Sequence, residues 1–379
     1  MKVGFVRAQL GDHGYPEVLL FDGCQYFDTI HFGYSPIKNW GDDPRHVYLN
    51  IKMLVPDSLA GFFVRKPYSP VSLVELEGIE KTLKNIDILQ TAELYSFISR
   101  QCARFSNLTK KRLAVSVWET IPTLPINYVF PHSENVKTVR KYADIFIAHT
   151  WRAHDYLKYL CVPEEKIRVI YPGIDLEKFK PAQKPDDKFR ILYVGRFDKE
   201  KGLHLLLEAF ARLNDERPNT ELQIRAKKRT GEVESLAYRY AKKYPIKFID
   251  SVRYEELARV YEECDVFCLP SFDRRKFGIK IWEEQFGFPL MEALACGLPI
   301  ISTDCGAIPE VIGPDNLIVR QQSVDDLYHA LISLYKDENL RHYLSKQNRA
   351  RAERLFDIQR QKQKVAETFN ELMNHNNKN

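Results

Sequence analysis

The stretch from Trp282 to Thr303, WEEQFGFPLMEALACGLPIIST, predicts a loop, a helix and a buried strand in that order. Pro289 suits the first turn of a helix, where its missing N–H is no loss, and Gly297 suits the position just past the helix end. The helix is therefore expected to begin near Phe288. A buried strand would follow this helix, as in a layered α/β domain.

Two glutamates, Glu284 and Glu292, stand eight positions apart around this helix start. We expect Glu292 in the first turn of the helix and Glu284 in the loop before it, so that both line one crevice. Gly287 allows close backbone approach, and the amides near Phe288 would face an anion above the helix start. Carboxylates repel phosphate, so the two glutamates are predicted to accept hydrogen bonds from ribose and hexose hydroxyls.

The regions on both sides of this stretch predict alternating strands and helices. From Phe189 onward, FRILYVGRF, ELQIRA, IKFIDSV, DVFCLPS, LPIIST and NLIVR have strand composition, and amphipathic helical segments separate them. In the first half, KVGFVRAQ, NIDILQTA, LAVSVWET and ADIFIAHT are apolar strands. Strict alternation indicates parallel sheets with helices on both faces, hence two doubly wound Rossmann-like domains that face a cleft.

The chain has 379 residues, which suits two domains of roughly 100 to 200 residues each. A proline-rich and charged connector lies near residues 172–181. We therefore predict an N-terminal domain of residues 1–172, a C-terminal domain of residues 173–358, and a final helix of residues 359–379 that crosses back to the first domain.

The segment VGRFDKEKG follows a strand and opens a helix, which is where doubly wound sheets bind phosphates. It lacks the G-x-G-x-x-G fingerprint and instead carries Gly195, Arg196 and Lys201. Side-chain cations then supplement backbone amides in holding a diphosphate. A solvated basic loop is the alternative interpretation of this turn.

Four motifs now agree in order and spacing: VIYPGIDLEKF, VGRFDKEKG, EEQFGFPLMEALACGLPII and GAIPEVIG. Together they resemble the C-terminal domain of retaining glycosyltransferases of family 4, which have the GT-B fold and an E-x7-E motif. The resemblance covers roughly residues 170–355. Upstream, RAQLGDHGYP lacks the Gly-Gly loop common in that family, and Glu119 stands near a position where many relatives carry histidine.

The resemblance implies roles for individual residues. Glu284 would contact the donor sugar and favour positive charge at its anomeric carbon, Glu292 would bind the ribose, and Arg196 and Lys201 would bind the diphosphate. The remaining donor contacts would be Gly195, Ser251, Val252, Phe286, Gly287, Phe288, Pro289 and Leu290. No metal and no cofactor is expected, since fixed cations would offset the diphosphate charge.

On the acceptor side the sequence offers His13 and Glu119, because each would follow a parallel strand and face the cleft. The segment Arg100–Leu113 mixes cations with apolar residues. A solvated helix end is the favoured interpretation, and contact with an anionic membrane that bears a lipid-linked acceptor is the other.

The composition excludes several classes of protein. No run approaches the roughly 18 apolar residues of a membrane span, and MKVGFVRAQL predicts a first strand rather than a secretory signal. A net charge of +5 fits phosphate-bearing ligands but is too diffuse to indicate nucleic acid. We expect a cytoplasmic protein with peripheral membrane contact as an open alternative.

The leading hypothesis is a retaining, metal-independent hexosyltransferase that uses a nucleoside diphosphate sugar and an acceptor hydroxyl of a glycan, a lipid-linked sugar or a small molecule. The alternative is a non-catalytic nucleotide-sugar-binding subunit of a glycosylation complex. A GT-B sugar-nucleotide epimerase is the third hypothesis, against which the E-x7-E motif argues.

Overall fold

The computed structural model describes residues 1–7, 16–22, 24–33, 45–54, 73–182, 186–227, 231–249 and 256–374. The chain divides into two compact units. The first contains Met1–Gly173 and Ile358–Asn379, and the second contains Ile174–Asp357.

A parallel sheet forms the centre of the first unit, with strand order β3-β2-β1-β6-β7-β8-β9. Apolar faces of helices pack against this sheet. The four strands predicted in this half, KVGFVRAQ, NIDILQTA, LAVSVWET and ADIFIAHT, are confirmed. The strands are β1 (Lys2–Val6), β2 (Asp28–Gly33), β3 (His46–Tyr48), β6 (Ile88–Ala92), β7 (Arg112–Val117), β8 (Ile145–Ala148) and β9 (Ile167–Val169), and an antiparallel pair is formed by β4 (Ile51–Met53) and β5 (Val74–Leu76). Its first five helices are α1 (Pro16–Phe21), α2 (Ile79–Thr82), α3 (Phe97–Thr109), α4 (His132–Tyr142) and α5 (Trp151–Tyr159).

The second unit has a parallel sheet of order β12-β11-β10-β13-β16-β17. These strands are β10 (Phe189–Arg196), β11 (Thr220–Lys227), β12 (Ile246–Ile249), β13 (Val266–Leu269), β16 (Ile300–Thr303) and β17 (Leu317–Val319). Its helices are α6 (Leu203–Glu216), α7 (Glu232–Ala241), α8 (Leu257–Glu262), α9 (Phe288–Ala295), α10 (Ile308–Ile312), α11 (Val324–Lys336) and α12 (Glu338–Leu355). The order is that of a doubly wound dinucleotide-binding fold, so the predicted α/β class is confirmed.

Two elements of the second unit have no counterpart in the sequence prediction. The first is an antiparallel hairpin of β14 (Arg274–Lys276) and β15 (Ile279–Trp282), which forms a sheet of its own. The second is α12, whose Arg349 guanidinium donates hydrogen bonds to the backbone carbonyls of Leu176, Phe179 and Ala295. The connector after residue 173 is therefore bound to the second unit, and Phe179 is fully buried.

The last helix, α13 (Ile358–Asn374), packs within the first unit. The ring of Phe369 lies 6.3 Å from that of Phe21 and 5.5 Å from that of Phe27, and Val365 is fully buried in the same cluster. An apolar stripe at helical spacing has to be covered, and here it covers one face of the first sheet.

The seven cysteines differ in exposure. Cys161 is exposed, and the others, which are Cys24, Cys102, Cys264, Cys268, Cys296 and Cys305, are buried free thiols. Burial raises the pKa of the Cys264 and Cys268 thiols far above the ordinary value, so both stay protonated. Seven cysteines scattered without a paired C-x-x-C predict buried free thiols rather than metal or disulfide chemistry, and the structure confirms this for six of the seven.

None of the helices within the described ranges combines the length and apolar character that crossing a membrane requires. This agrees with the absence of a long apolar run in the sequence.

Candidate functional site

The topological switch point of the second unit lies between β10 and β13. The chain leaves β10 toward β11 on one side, and β13 lies on the other, so a crevice opens at the carboxyl ends of these two strands. Gly195 and Arg196 end β10, and Ser271 follows β13 by two residues. Ligands of open α/β sheets bind at such a point.

Lys201 and Glu284 meet in this crevice. The Lys201 ammonium lies 2.6 Å from Glu284 Oε2, and the same oxygen accepts a hydrogen bond from the Ser271 hydroxyl at 3.0 Å. The Lys201 ammonium also lies 5.0 Å from the centre of the Trp282 ring. Both charged side chains are largely buried, so their attraction is screened little by solvent. A cation, a carboxylate and a hydroxyl are thus preorganised at one place.

The backbone around Glu284 is fixed by the turn after β16. Ala307 donates its N–H to the Glu284 carbonyl at 2.8 Å, and the Glu284 N–H points at Cys305 Sγ at 3.4 Å. Gly306 has φ +57°, and a Cβ there would lie 2.1 Å from the Glu284 carbonyl oxygen. Only glycine fits this turn, which explains the glycine of the GAIPEVIG motif.

A second glycine positions Lys201. The 3₁₀ turn Lys199–Lys201 ends at Gly202, whose φ is +73°. A Cβ at Gly202 would lie 2.0 Å from the Pro270 carbonyl oxygen. The segment VGRFDKEKG therefore needs its last glycine so that the turn can approach the end of β13 and bring Lys201 to Glu284.

Arg196 has a different environment from Lys201. Its side chain is 44% exposed, and its Nε lies 2.7 Å from Asp198 Oδ2. The Tyr193 hydroxyl donates to the Arg196 carbonyl at 2.8 Å, and a Cβ at Gly195 would approach that hydroxyl to 2.8 Å. Arg196 thus lies at the mouth of the crevice, whereas Lys201 lies inside it.

Glu292 lies in the second turn of α9, which corrects the prediction that it lies in the first. The helix begins at Phe288, as expected, so Glu292 is its fifth residue. The carboxylate is buried, and its Oε2 accepts a short hydrogen bond from the Tyr261 hydroxyl. Burial raises the pKa of Glu292, while the Tyr261 hydrogen bond and the charge of Arg225 oppose the rise. Glu292 therefore belongs to a cluster with Tyr261 and Arg225.

The start of α9 offers fewer amides than predicted. Gly287 is the N-cap with φ +79°, Pro289 has no N–H, and the Leu290 N–H already donates to the Gly287 carbonyl at 2.8 Å. The predicted row of amides is therefore interrupted. Phe286 is buried, and its ring packs 5.8 Å from that of Phe356, so its side chain serves the core.

Of the two predicted acceptor-side residues, Glu119 lies within the described ranges, and its carboxylate makes hydrogen bonds to the backbone. Its Oε1 accepts hydrogen bonds from the backbone N–H groups of Thr120 and Ile121, at 2.9 and 2.8 Å. The side chain is buried at the carboxyl end of β7. His13, Ser251 and Val252 lie outside the described residues, so their predicted roles stay predictions.

Sequence reasoning missed Glu93, which lies beside Glu119. Its backbone has φ +65°, an uncommon conformation for a non-glycine residue, and its Oε1 accepts the Trp118 N–H at 2.9 Å. Its Oε2 is buried and has no hydrogen-bond partner among the described residues. Burial raises the pKa of Glu93 to about 8, and the charge of Glu119 adds to the rise. The signal available in the sequence was a glutamate directly after the strand NIDILQTA.

His149 completes this edge of the first unit. Its ring stacks on Trp118 at 3.9 Å between centroids, and its Nδ1 lies 2.8 Å from the Ile170 carbonyl oxygen. Burial lowers the pKa of His149 to about 4, so the imidazole is neutral at neutral pH. No local sequence pattern singled out this histidine.

Within the described ranges, no group of three or more His, Cys, Asp or Glu side chains is placed to hold a metal ion. The carboxylates described above are instead bonded to Lys201, to Tyr261 or to backbone amides.

Comparisons with known proteins point to one family. Residues 175–351 match the family described as glycosyl transferases group 1. An MMP alpha-(1->4)-mannosyltransferase of Mycolicibacterium hassiacum is 29% identical over 252 residues, which cover 65% of this chain and 58% of that protein. A D-inositol 3-phosphate glycosyltransferase of Corynebacterium jeikeium is 28% identical over 222 residues, or 52% of this chain and 51% of that protein. The chain thus spans about half the length of the curated relatives it matches.

Solved structures extend the similarity to both units. HepE from Anabaena, in complex with UDP and glucose, has a TM-score of 0.75 at 16% identity and covers 98% of this chain and 100% of its own. Sucrose-phosphate synthase from Thermosynechococcus elongatus has a TM-score of 0.72 at 18% identity, with 99% of both chains covered. At such identities the likeness shows the fold. The chain therefore has the GT-B fold, and residues 175–351 of its second unit match the family model of the glycosyl transferases group 1.

Proposed function

We propose that the protein is a retaining glycosyltransferase that moves a hexose from a nucleoside diphosphate sugar to an acceptor hydroxyl and needs no divalent metal. The observation that carries the proposal is the buried contact between Lys201 and Glu284 at the switch point of a group 1 domain. Because HepE was solved with UDP, we propose a uridine nucleotide as the donor's leaving group.

The Lys201–Glu284 pair supplies the two charges that such a transfer requires. The diphosphate would displace the carboxylate from the Lys201 ammonium, and Arg196 at the crevice mouth would add a second cation. Glu284 would then turn to the sugar hydroxyls and stabilise positive charge at the anomeric carbon. Both groups already lie in the crevice before the donor arrives, so donor binding would change the partners of the two charges rather than bring the charges together.

In the proposed step the bond between the anomeric carbon and the diphosphate oxygen breaks, and a bond from the acceptor oxygen forms on the same face. The acceptor's proton moves to an oxygen of the departing diphosphate. Atoms and charge balance without a protein base. Glu93 and Glu119 therefore do not have to remove the proton, and their hydrogen bonds to backbone amides are compatible with that.

We also propose that the protein works in the cytoplasm, with its acceptor either dissolved or carried by a lipid. The acceptor hydroxyl would approach from the first unit, where His13 and Glu119 stay the predicted contacts. Glu292 stays the predicted ribose contact, and the Tyr261 hydroxyl that it holds would then lie beside the ribose site.

The test is release of nucleoside diphosphate from a panel of UDP and GDP sugars, with and without acceptor extract and in excess EDTA. Glu284→Gln should lower turnover at least ~100-fold and change donor affinity less than tenfold, because its contact forms mainly in the transition state. Glu263→Gln, an exposed glutamate of the same unit, is the matched control and should behave as wild type.

Three outcomes would contradict the proposal. Donor binding without any turnover in the wild-type protein would favour the non-catalytic subunit. Interconversion of the donor with its epimer, without transfer, would favour an epimerase. Activity abolished by EDTA and restored by Mg²⁺ would refute metal independence.

A further inference from the structure

The hairpin of β14 and β15 exposes an aromatic tip. Phe277 is 91% exposed and Ile279, on the next strand, is 46% exposed. Large apolar side chains that are exposed together on a narrow projection indicate a contact surface. Neither residue belongs to the Lys201–Glu284 site.

Backbone geometry shows that Phe277 is a poor residue for its turn. Phe277 and Gly278 form the two-residue turn between β14 and β15, with φ of +51° and +79°. Two-residue hairpin turns of this kind need positive φ at both positions and favour Asn-Gly or Asp-Gly. A bulky aromatic at positive φ is an outlier. The phenyl ring is thus present despite the folding preference of the turn.

Cations surround the tip. Arg274, Arg275 and Lys276 are all exposed along β14, and the Arg275 guanidinium donates to the Gly278 carbonyl at 3.2 Å. The Lys276 ammonium lies 5.6 Å from the centre of the Phe277 ring. The carboxylates near the hairpin lie at its base, where Glu200 is 3.5 Å from Arg274.

The base of the hairpin is held rigidly. The Lys280 ammonium lies 2.6 Å from Asp273 Oδ2 and 2.7 Å from Glu283 Oε2. Two-stranded hairpins are marginal by themselves, so these ion pairs help to keep the tip projecting. Two carboxylates on one ammonium leave this base with a net negative charge, so the positive charge of the hairpin lies at its tip.

We propose that this hairpin docks the protein on an anionic lipid surface, with Phe277 in the interface and Arg275 and Lys276 on the headgroups. Apolar side chains flanked by cations match the chemistry of an anionic bilayer interface. A protein partner is disfavoured because stable interfaces bury about 800 Å² on each side, and a tip formed by two strands of three and four residues is narrow. The proposal concerns binding only and does not rest on the proposed transfer reaction.

The segment Arg100–Leu113, the sequence-based candidate for such contact, is less suited. Leu108 is 79% exposed, and Arg104 and Lys110 are exposed beside it. The other cations are engaged: Arg100 binds Glu75, Arg112 binds Asp144, and Lys111 donates to the carbonyls of Lys84 and Ile86. We therefore assign the membrane contact to the hairpin rather than to this segment.

The experiment is sedimentation of the purified full chain with vesicles of phosphatidylcholine alone or mixed with phosphatidylglycerol. We expect binding to the mixed vesicles only, and release near 1 M salt, where the Debye length is about 3 Å. The double variant Arg275→Gln/Lys276→Gln should bind about 25-fold more weakly, because each cation near an anionic surface contributes about fivefold.

The sharpest variant is Phe277→Asn. It should weaken vesicle binding about tenfold, since it removes the interfacial aromatic. Its melting temperature should be equal to or above that of wild type, because Asn-Gly suits the turn better. Weaker binding with unchanged or higher stability excludes a merely structural role for the phenyl ring.

Matched controls come from the rival segment: Leu108→Asn for the apolar change, and Arg104→Gln/Lys110→Gln for the charge change. Both should bind vesicles as wild type does. Equal binding to both kinds of vesicle, no binding to either, or loss of binding only in these controls would overturn the proposal.

Discussion

The glutamates at the carboxyl ends of the two sheets lie in opposite electrostatic environments. In the second unit, the Glu284 carboxylate lies 2.6 Å from the Lys201 ammonium. In the first unit, Glu93 lies beside another carboxyl group, that of Glu119, and burial raises its pKa to about 8. One edge therefore holds an ion pair, and the other holds a carboxylic acid that is largely protonated at neutral pH.

The difference shows that position at a strand end does not settle chemistry. Glu93 directly follows the parallel strand β6, and Glu284 contacts the turns that follow the parallel strands β13 and β16, where ligands bind. For Glu93, burial is the main cause of the raised pKa and the charge of Glu119 adds to it, whereas Glu284 has the Lys201 ammonium within ion-pair distance. The predictions below test this contrast, from the largest expected effect to the smallest.

Lys201→Ala should slow turnover by ~100- to 1000-fold, because it removes a preorganised donor to developing negative charge. Arg196→Ala should cost less, since that side chain is 44% exposed and its charge is better screened. The measurement is donor turnover in excess EDTA. The double variant Lys201→Ala/Glu284→Gln should lose less activity than the two single losses predict when their free energies are added, as expected of contacting groups. Additive losses would show that the two side chains act independently.

Gly202→Ala should destabilise the protein by roughly 1 to 3 kcal/mol in urea unfolding, because the new methyl group meets the Pro270 carbonyl and the backbone is strained. Gly78→Ala is the matched control. It has a similar φ of +69° and nothing within 4 Å of the added Cβ, so only the backbone cost remains. Equal losses in both variants would mean that the close approach to Pro270 contributes nothing.

Glu93→Gln tests the neutral carboxyl group. The pKa of Glu93 is raised from 4.5 in the unfolded chain to about 8 in the fold. Its contribution to stability is therefore full below pH 4.5 and is lost as the pH rises toward 8. Relative to wild type, Glu93→Gln should gain roughly 1 to 3 kcal/mol of unfolding free energy between pH 5 and pH 8.

Urea unfolding at the two pH values measures that gain, with the exposed Glu77→Gln as control. A difference between Glu93→Gln and wild type that does not change with pH would show that Glu93 is ionised throughout.

Glu292→Gln should weaken binding of a nucleoside diphosphate by about tenfold, on the scale of one lost hydrogen bond to a charged group. Turnover at saturating donor should change little, which separates this glutamate from Glu284. Calorimetric titration with UDP measures the effect. Unchanged affinity would restrict Glu292 to its hydrogen bond with Tyr261.

The sequence predicted those parts of the fold in which local pattern and tertiary contacts agree. The strands β10, β13 and β16 contain apolar runs, and Pro289 and Gly297 marked the limits of α9 within two residues. The E-x7-E spacing identified Glu284 at the switch point. It could not show that Lys201 would contact Glu284, since 83 residues separate them.

Other elements gave weak signals for physical reasons. Helix α12 was missed because mainly Leu344, Asn348 and Ala352 are buried, so it lacks a wide apolar stripe. The β14–β15 hairpin was missed because β14 is exposed throughout and its turn lacks Asn. Glu93 acquires its raised pKa from burial and from Glu119, neither of which is visible in local sequence.

The unequal exposure of the cysteines has a practical consequence. Because Cys161 alone is exposed and the other six thiols are buried, a maleimide dye should modify the native protein at Cys161. No other cysteine has to be replaced beforehand. Cys161 lies two residues after the end of α5, in the first unit. A fluorophore there would label the first unit of the natural chain at one known position.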